Sequence, residues 1–196
     1  MTIADYHVHT DFSLDCSVPM EDQCRAAIAA GVVEIAFTEH VDHDECDAES
    51  MEKYDYAAYG EELERCRELF DGQLQILRAA EIDWNRSIAD DVLAFVDRSS
   101  FDFIIGSVHN LEHKYVGFSP PEEFGGAGPM YDSYYDDALA CRSRIPVGGR
   151  SPGSPRRYHG VSPFDVDRDH FEGACARSSG LRRRTASDSR STRRGW

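Results

Sequence analysis

Three things are scarce in this 196-residue chain, and each scarcity excludes a class of protein. No apolar run approaches the ~20 residues that a membrane-spanning helix needs, and no N-terminal stretch is built like a signal peptide. A cytoplasmic location is the resulting expectation. The six cysteines (Cys16, Cys24, Cys46, Cys66, Cys141, Cys175) contain no CxxC spacing and are too sparse for a disulfide framework, so they read as free thiols. Basic residues are scarce where a polyanion would need them. Residues 1–140 hold 8 Lys+Arg against 31 Asp+Glu, a net charge of -23. That sign argues against nucleic acid as a partner. Residues 141–196 reverse it, with 13 arginines against 5 acidic residues.

What is present fits one soluble domain with a core: 41% hydrophobic and 29% charged residues. Residues 3–8 read as a strand. It ends in Tyr6-His7-Val8-His9-Thr10, where alternation sends His7 and His9 out on one face. Two imidazoles on one face at a strand end make a metal-binding pair, although two surface histidines on an edge strand would look the same. Pro19 opens a helix to about Ala30, and Gly31 ends it. Val32 to Phe37 reads as a second strand running into Thr38-Glu39-His40. An acidic loop from Glu45 to Lys53 precedes a helix from Tyr56 to Phe70. Leu74 to Ala80 is a third strand delivering Glu81, Ile88 to Val96 a helix, and Phe101 to Val108 a fourth strand delivering His109. Tyr131 to Ala140 reads as helical.

Alternating strands and helices predict an α/β fold with a parallel sheet. Chemistry in such sheets collects at the carboxyl ends of strands. His7 and His9, Glu39 and His40, Glu81, and His109 all fall at such ends, which scattered histidines would not do. Other polar groups read more plainly. The Asp42/Asp44/Glu45/Asp47 run reads as a solvated acidic loop, His43 and His113 as loop residues. Phe118-Ser119-Pro120-Pro121 and Gly125-Gly126-Ala127-Gly128 read as a mobile connection.

Together these pieces resemble the PHP (polymerase and histidinol phosphatase) family, in its monofunctional histidinol-phosphatase branch. The resemblance rests on His7-Val8-His9-Thr10, Asp15, Ile35-Ala36-Phe37-Thr38-Glu39-His40, Ala80-Glu81-Ile82-Asp83 and Ile104-Ile105-Gly106-Ser107-Val108-His109. They come in the family's order over residues 3 to about 118. Glu39 departs from the family's usual aspartate. The resemblance implies a distorted, TIM-like (β/α)7 barrel with a trinuclear centre of Zn, Mn or Fe. Within it His7, His9 and Glu81 would hold one ion. Glu81 would bridge to a second, also held by His109, and Asp15 and His40 would hold a third. No side chain beyond a metal-bound hydroxide is implied as catalytic. The implied reaction is hydrolysis of L-histidinol phosphate to L-histidinol and phosphate in histidine biosynthesis, with a small phosphorylated substrate and neither membrane nor nucleic acid as partner. A PHP-type nucleotide phosphoesterase or nuclease, and a non-catalytic metal-binding remnant, are the rival readings.

The last third does not fit that pattern. The family's later ligands, in a Gly-His-x-Asp strand end and an Asp-x-His, are not visible, and from about Cys141 the text turns to Arg, Gly, Ser and Pro. One reading is a disordered basic tail. A sharper one is shifted reading frame. One codon choice for Val-Val-Gly-His-Leu-Asp, regrouped, spells Gly148 to Ser154. One for Val-Asn-Thr-Ser-Gly-Leu spells Arg190 to Trp196. Residues 157–173 then read as native, with Arg157 a phosphate-binding candidate. On this reading residues 1–140 are the N-terminal part of the domain, the barrel is incomplete at its C-terminus, and folding and activity are weak.

Overall fold

The computed structural model describes residues 3–145 and, beyond them, 150–151, 154–155 and 157–158. Its centre is a wholly parallel five-stranded sheet in the order β1-β2-β3-β4-β9. The strands are β1 (Ile3–Val8), β2 (Val32–Val41), β3 (Gln75–Asp83), β4 (Phe103–Ser107) and β9 (Arg157–Tyr158). Helices α1 (Met20–Ala29), α3 (Tyr56–Leu69) and α4 (Ala89–Arg98) connect them, giving the α/β class that the alternating pattern predicts.

Local chemistry sets the boundaries. Pro19 precedes α1, and Gly31, at φ +79°, ends its turn. Asp55 caps α3, its carboxylate accepting from the N–H groups of Ala57 and Ala58 at 2.9 and 3.0 Å. Gly72, at φ +71°, turns the chain toward β3. Parallel strands are buried on both faces here. Ile35, Phe37, Ile76, Ala80, Ile82 and Ile104 face the helices, packed with Tyr59, Leu63, Val92 and Phe95. Ala36, Ala79, Phe103 and Ile105 line the opposite face with Tyr6 and Leu77. The Tyr59 hydroxyl is buried between strands, donating to Phe37 O (2.9 Å) and accepting from Ala79 N–H (3.0 Å).

Several expectations need correction. β2 runs four residues past Phe37, to Val41, in unbroken register with β3 from Glu34↔Gln75 to Val41↔Ile82. The segment read as an acidic loop folds into a 3-10 turn (Glu45–Asp47) and helix α2 (Ala48–Lys53). Asp42, Asp44 and Asp47 are buried, not solvated. They are covered by a small hairpin, β5 (Asn110–Leu111) and β6 (Lys114–Tyr115), that the sequence pattern did not show. Its two-residue turn puts Glu112 and His113 at φ +51° and +60°, a left-handed turn that favours glycine or asparagine. The connection read as mobile carries a 3-10 turn at Pro121–Phe124, and α5 (Ala127–Arg144) starts within it and continues past position 140.

Near the chain's end, β7 (Arg150–Ser151) and β8 (Ser154–Pro155) pair with each other, and β9 adds to the sheet beside β4, with Phe103↔Arg157 and Ile104↔Tyr158. Most of the stretches read as shifted text, Gly148–Ser154 and Arg190–Trp196, lie outside the described residues, as do the Arg157 side chain, Cys175 and residues 159–173.

Candidate metal centre

The sheet face away from the helices carries the site, at the carboxyl ends of its strands. Alternation along β2 places His40 on that face, and Asp42, just past its end, follows. Along β3 it places Glu81 and Asp83 there. Ser107 ends β4 and His109 follows two residues later. β1 adds His7, and His9 follows just past its end; the ladder to β2 breaks register between Asp5 and Val8, where His7 sits. Asp15 comes from the loop between β1 and α1.

Glu81 is the hub. Its Oε2 lies 3.1 Å from His7 Nε2 and 3.2 Å from His9 Nε2, and 3.7 Å from His40 Nδ1. Its Oε1 accepts from Ser107 Oγ at 2.6 Å and lies 3.3 Å from His109 Nε2. The two oxygens of one carboxylate thus face different sets of histidines. Asp15 Oδ2 lies 2.9 Å from His9 Nδ1 and 3.6 Å from His40 Nε2. Asp42 faces His109 Nδ1 at 2.9 Å and His40 Nδ1 at 3.5 Å.

Three overlapping donor groups result, each with its ligand atoms within 4.8 Å of one another: His7, His9 and Glu81; His9, Asp15 and His40; His40, Asp42 and His109. All six metal-ligand candidates named from the sequence are brought together. Sequence reasoning missed Asp42. The signal was available, since the i, i+2 argument that pairs His7 with His9 also pairs His40 with Asp42 once the chain is extended through Val41. His43 and His113 join none of the donor groups among the described residues. His43 is not solvated but packed edge-on against Phe95, ring centroids 5.1 Å apart. His113 Nδ1 lies 2.9 Å from Asp44 Oδ1.

The electrostatics favour a cation. Burial alone would raise the Glu81 carboxyl, yet His109, His7 and His9 hold it far below the usual range. Burial lowers His9, but Glu81 and Asp15 outweigh it and push the imidazole up to about 9. His109 goes the same way, its burial outweighed by Asp42 and Glu81. Burial, and then the charge of Asp42, pushes Asp83 up to about 7. At His9 and His109 the surrounding carboxylates favour positive charge, while burial lowers His40. Two buried nitrogens, His9 Nε2 and His40 Nδ1, make no hydrogen bond although carboxylate oxygens are close by. Imidazole and carboxylate donors aimed at shared points, with buried nitrogens left over, fit divalent cations.

A parallel α/β sheet with His/Asp/Glu donors gathered at its strand ends defines a metal-site α/β protein of the barrel type. The family comparison agrees: the PHP domain model matches residues 5–158, and the chain belongs to the PHP domain family. It is 31% identical over 111 residues to the histidinol-phosphatase of Lactococcus lactis, covering 55% of this chain and 39% of that protein. It is 26% identical over 147 residues to the protein named "Probable histidinol-phosphatase" of Clostridium acetobutylicum, covering 71% of this chain and 52% of that one. The chain therefore spans about half the length of these relatives or less. The fold is also that of the Lactococcus lactis histidinol phosphate phosphatase in a crystal structure with zinc, L-histidinol and phosphate. The TM-score is 0.62 at 22% identity, over 87% of this chain and 65% of that one. Among the described residues no helix is long and apolar enough to cross a membrane.

Proposed function

We propose that this chain is a metal-dependent phosphomonoesterase acting on L-histidinol phosphate, releasing L-histidinol and phosphate in cytoplasmic histidine biosynthesis. The observation that carries the reading is the set of three donor groups that share His9 and His40. Donor groups this close, with the two oxygens of Glu81 facing different histidines, suit a cluster of ions rather than three separate sites, hence a trinuclear centre. His7, His9 and Glu81 would hold one ion, with Glu81 reaching a second through the oxygen that faces His109. Asp15 and His40 would hold a third. Asp42 joins this set as a ligand beside His109.

When bound, such cations supply Lewis acidity toward a phosphate ester and lower the pKa of water. The chain's own residues do the rest. Asp42 and Glu81 are buried, with side chains 4% and 3% exposed, while His7 and Asp15 are 49% and 55% exposed. The substrate therefore enters on the His7/Asp15 side, and the buried wall keeps bulk water from the far side. Asp42 holds His109 in one orientation through Nδ1, leaving Nε2 to face Glu81. The substrate rests on the names of the relatives. A small phosphate ester also suits a region with a net charge of -23 better than a nucleic-acid chain does.

The test is phosphate release from L-histidinol phosphate and from a nucleoside monophosphate, each with added Zn or Mn and after chelation. Metal-dependent release with preference for L-histidinol phosphate is expected. Preference for the nucleotide would move the reading to a nucleotide phosphoesterase, and metal binding without release from either would leave a binding remnant.

A further inference from the structure

Asp15 differs from the other donors in lying well inside a loop, whereas the others sit in a strand or within two residues of a strand end. Its position needs an explanation, and Glu39 supplies one. Glu39 sits in β2 beside His40, but alternation points it the other way, to the helix side of the sheet. There it is fully buried and forms no salt bridge among the described residues. Its Oε2 accepts from Thr10 N–H at 3.0 Å and from Ser13 Oγ at 2.6 Å, and its Oε1 accepts from Thr10 Oγ1 at 2.8 Å. Ser13 Oγ in turn accepts from the backbone N–H of His40 at 3.0 Å. Thr10 and Ser13 are themselves buried, and Ser13 N–H closes onto Thr10 O at 3.0 Å. One buried carboxylate thus gathers both ends of the Thr10–Ser13 turn. Ser13 then ties that turn to the backbone of a ligand, two residues before Asp15.

We propose that Glu39 is a positioning residue for the ion held by Asp15 and His40, a role that rests on the metal-centre reading above. Burying a carboxylate that forms no salt bridge is costly. Here it fixes the loop that delivers the most exposed ligand. The His7/His9/Glu81 and His40/Asp42/His109 groups take their carboxylates from β3 and the end of β2, without this clamp. Loss of the clamp therefore empties one group and spares the others.

The experiment measures metal per chain and stepwise metal affinity in the full chain after loading with Zn, with folding followed by circular dichroism. Asp15→Asn sets the signature of losing one ligand of that group, about one ion per chain fewer. Glu39→Leu removes both acceptor oxygens, and with them all three hydrogen bonds, at similar volume and is expected to reproduce that signature. Glu39→Gln is expected to keep the ion, because its amide oxygen can still accept from Thr10 N–H and Ser13 Oγ while the Thr10 hydroxyl turns to accept. Ser13→Ala, which cuts the link between clamp and His40, covers the case in which Glu39→Leu does not fold, and is expected to weaken the same ion at least tenfold. The proposal is overturned if Glu39→Leu, or Ser13→Ala where Leu does not fold, loads like the wild type. It is also overturned if Glu39→Gln loses the ion as fully as Leu does. A wild-type chain that takes up no metal would instead overturn the metal-centre reading itself.

Discussion

The two sides of the centre are built differently. On one side Glu81, Asp42 and His109 come from β2, β3 and β4, in sheet register and backed by helices, with carboxylates almost fully buried. On the other side His7 sits at a break in the β1 ladder, and Asp15 sits on a loop, more than half exposed. Strand-borne ligands are placed by the fold as a whole. Loop-borne ligands are placed by a few named hydrogen bonds, and those are where a point change separates metal binding from folding. On the proposed function the two sides would divide the labour, the rigid side fixing the ions and the open side admitting substrate.

The largest effect should come from removing what both sides share. Glu81→Gln keeps the acceptor for Ser107 Oγ and nearly the same shape, but removes the charge facing His7, His9, His40 and His109. Metal affinity should fall by more than about a hundredfold, since changes to groups merely supporting a ligand already cost 10–100-fold. Metal analysis after dialysis measures it. A variant that retained full metal on either side would break the comparison, because that side would then not depend on the hub.

Much of the centre was legible in the sequence, because both of its signals are local. Alternation pairs His7 with His9, and apolar runs ending in Glu81 and His109 mark strand ends. Asp42 was not legible for a specific reason. The apolar run of β2 stops at Phe37, yet the strand continues because Thr38, Glu39 and His40 are held by groups distant in sequence: Val8, Thr10, Ser13 and Glu81. Asp44 likewise looks like loop, but Asn85 and His113 reach it from 41 and 69 residues away. No local pattern carries that information. A left-handed turn at Glu112-His113 also lacks the Asn-Gly text that would announce a hairpin.

A middling effect is expected where the rigid side gets its rigidity. Gly106 lies in β4, one residue before Ser107, and α5 crosses it so closely that a Cβ would run into Cys141 Sγ. Cys141 is buried, so it has little room to give. Gly106→Ala should destabilise the fold by about 1–3 kcal/mol, the usual cost of overpacking, as read from chemical denaturation. It should also weaken metal binding through the displaced His109. Lost stability with unchanged metal affinity would show that the strand ends hold their ligands independently of the helix layer behind them.

The smallest effect should come from His113, and it tests where the rigid side stops. His113 lies at the hairpin tip, and its imidazole meets the Asp44 carboxylate at 2.9 Å. Asp44 does not depend on it. Asn85 Nδ2 donates to the same carboxylate at 3.0 Å, and the backbone N–H of Cys46 at 3.1 Å. Replacing His113 therefore leaves no buried acceptor unpaired, and unpaired buried groups are what make such changes costly. Asparagine tolerates the left-handed conformation that residue 113 requires. His113→Asn should accordingly leave metal content unchanged and shift the melting temperature only slightly. The hairpin is then a cover over the acidic residues and not part of the centre. Loss of an ion in this variant would extend the centre to Asp44 and place the boundary between its two sides beyond the strand ends.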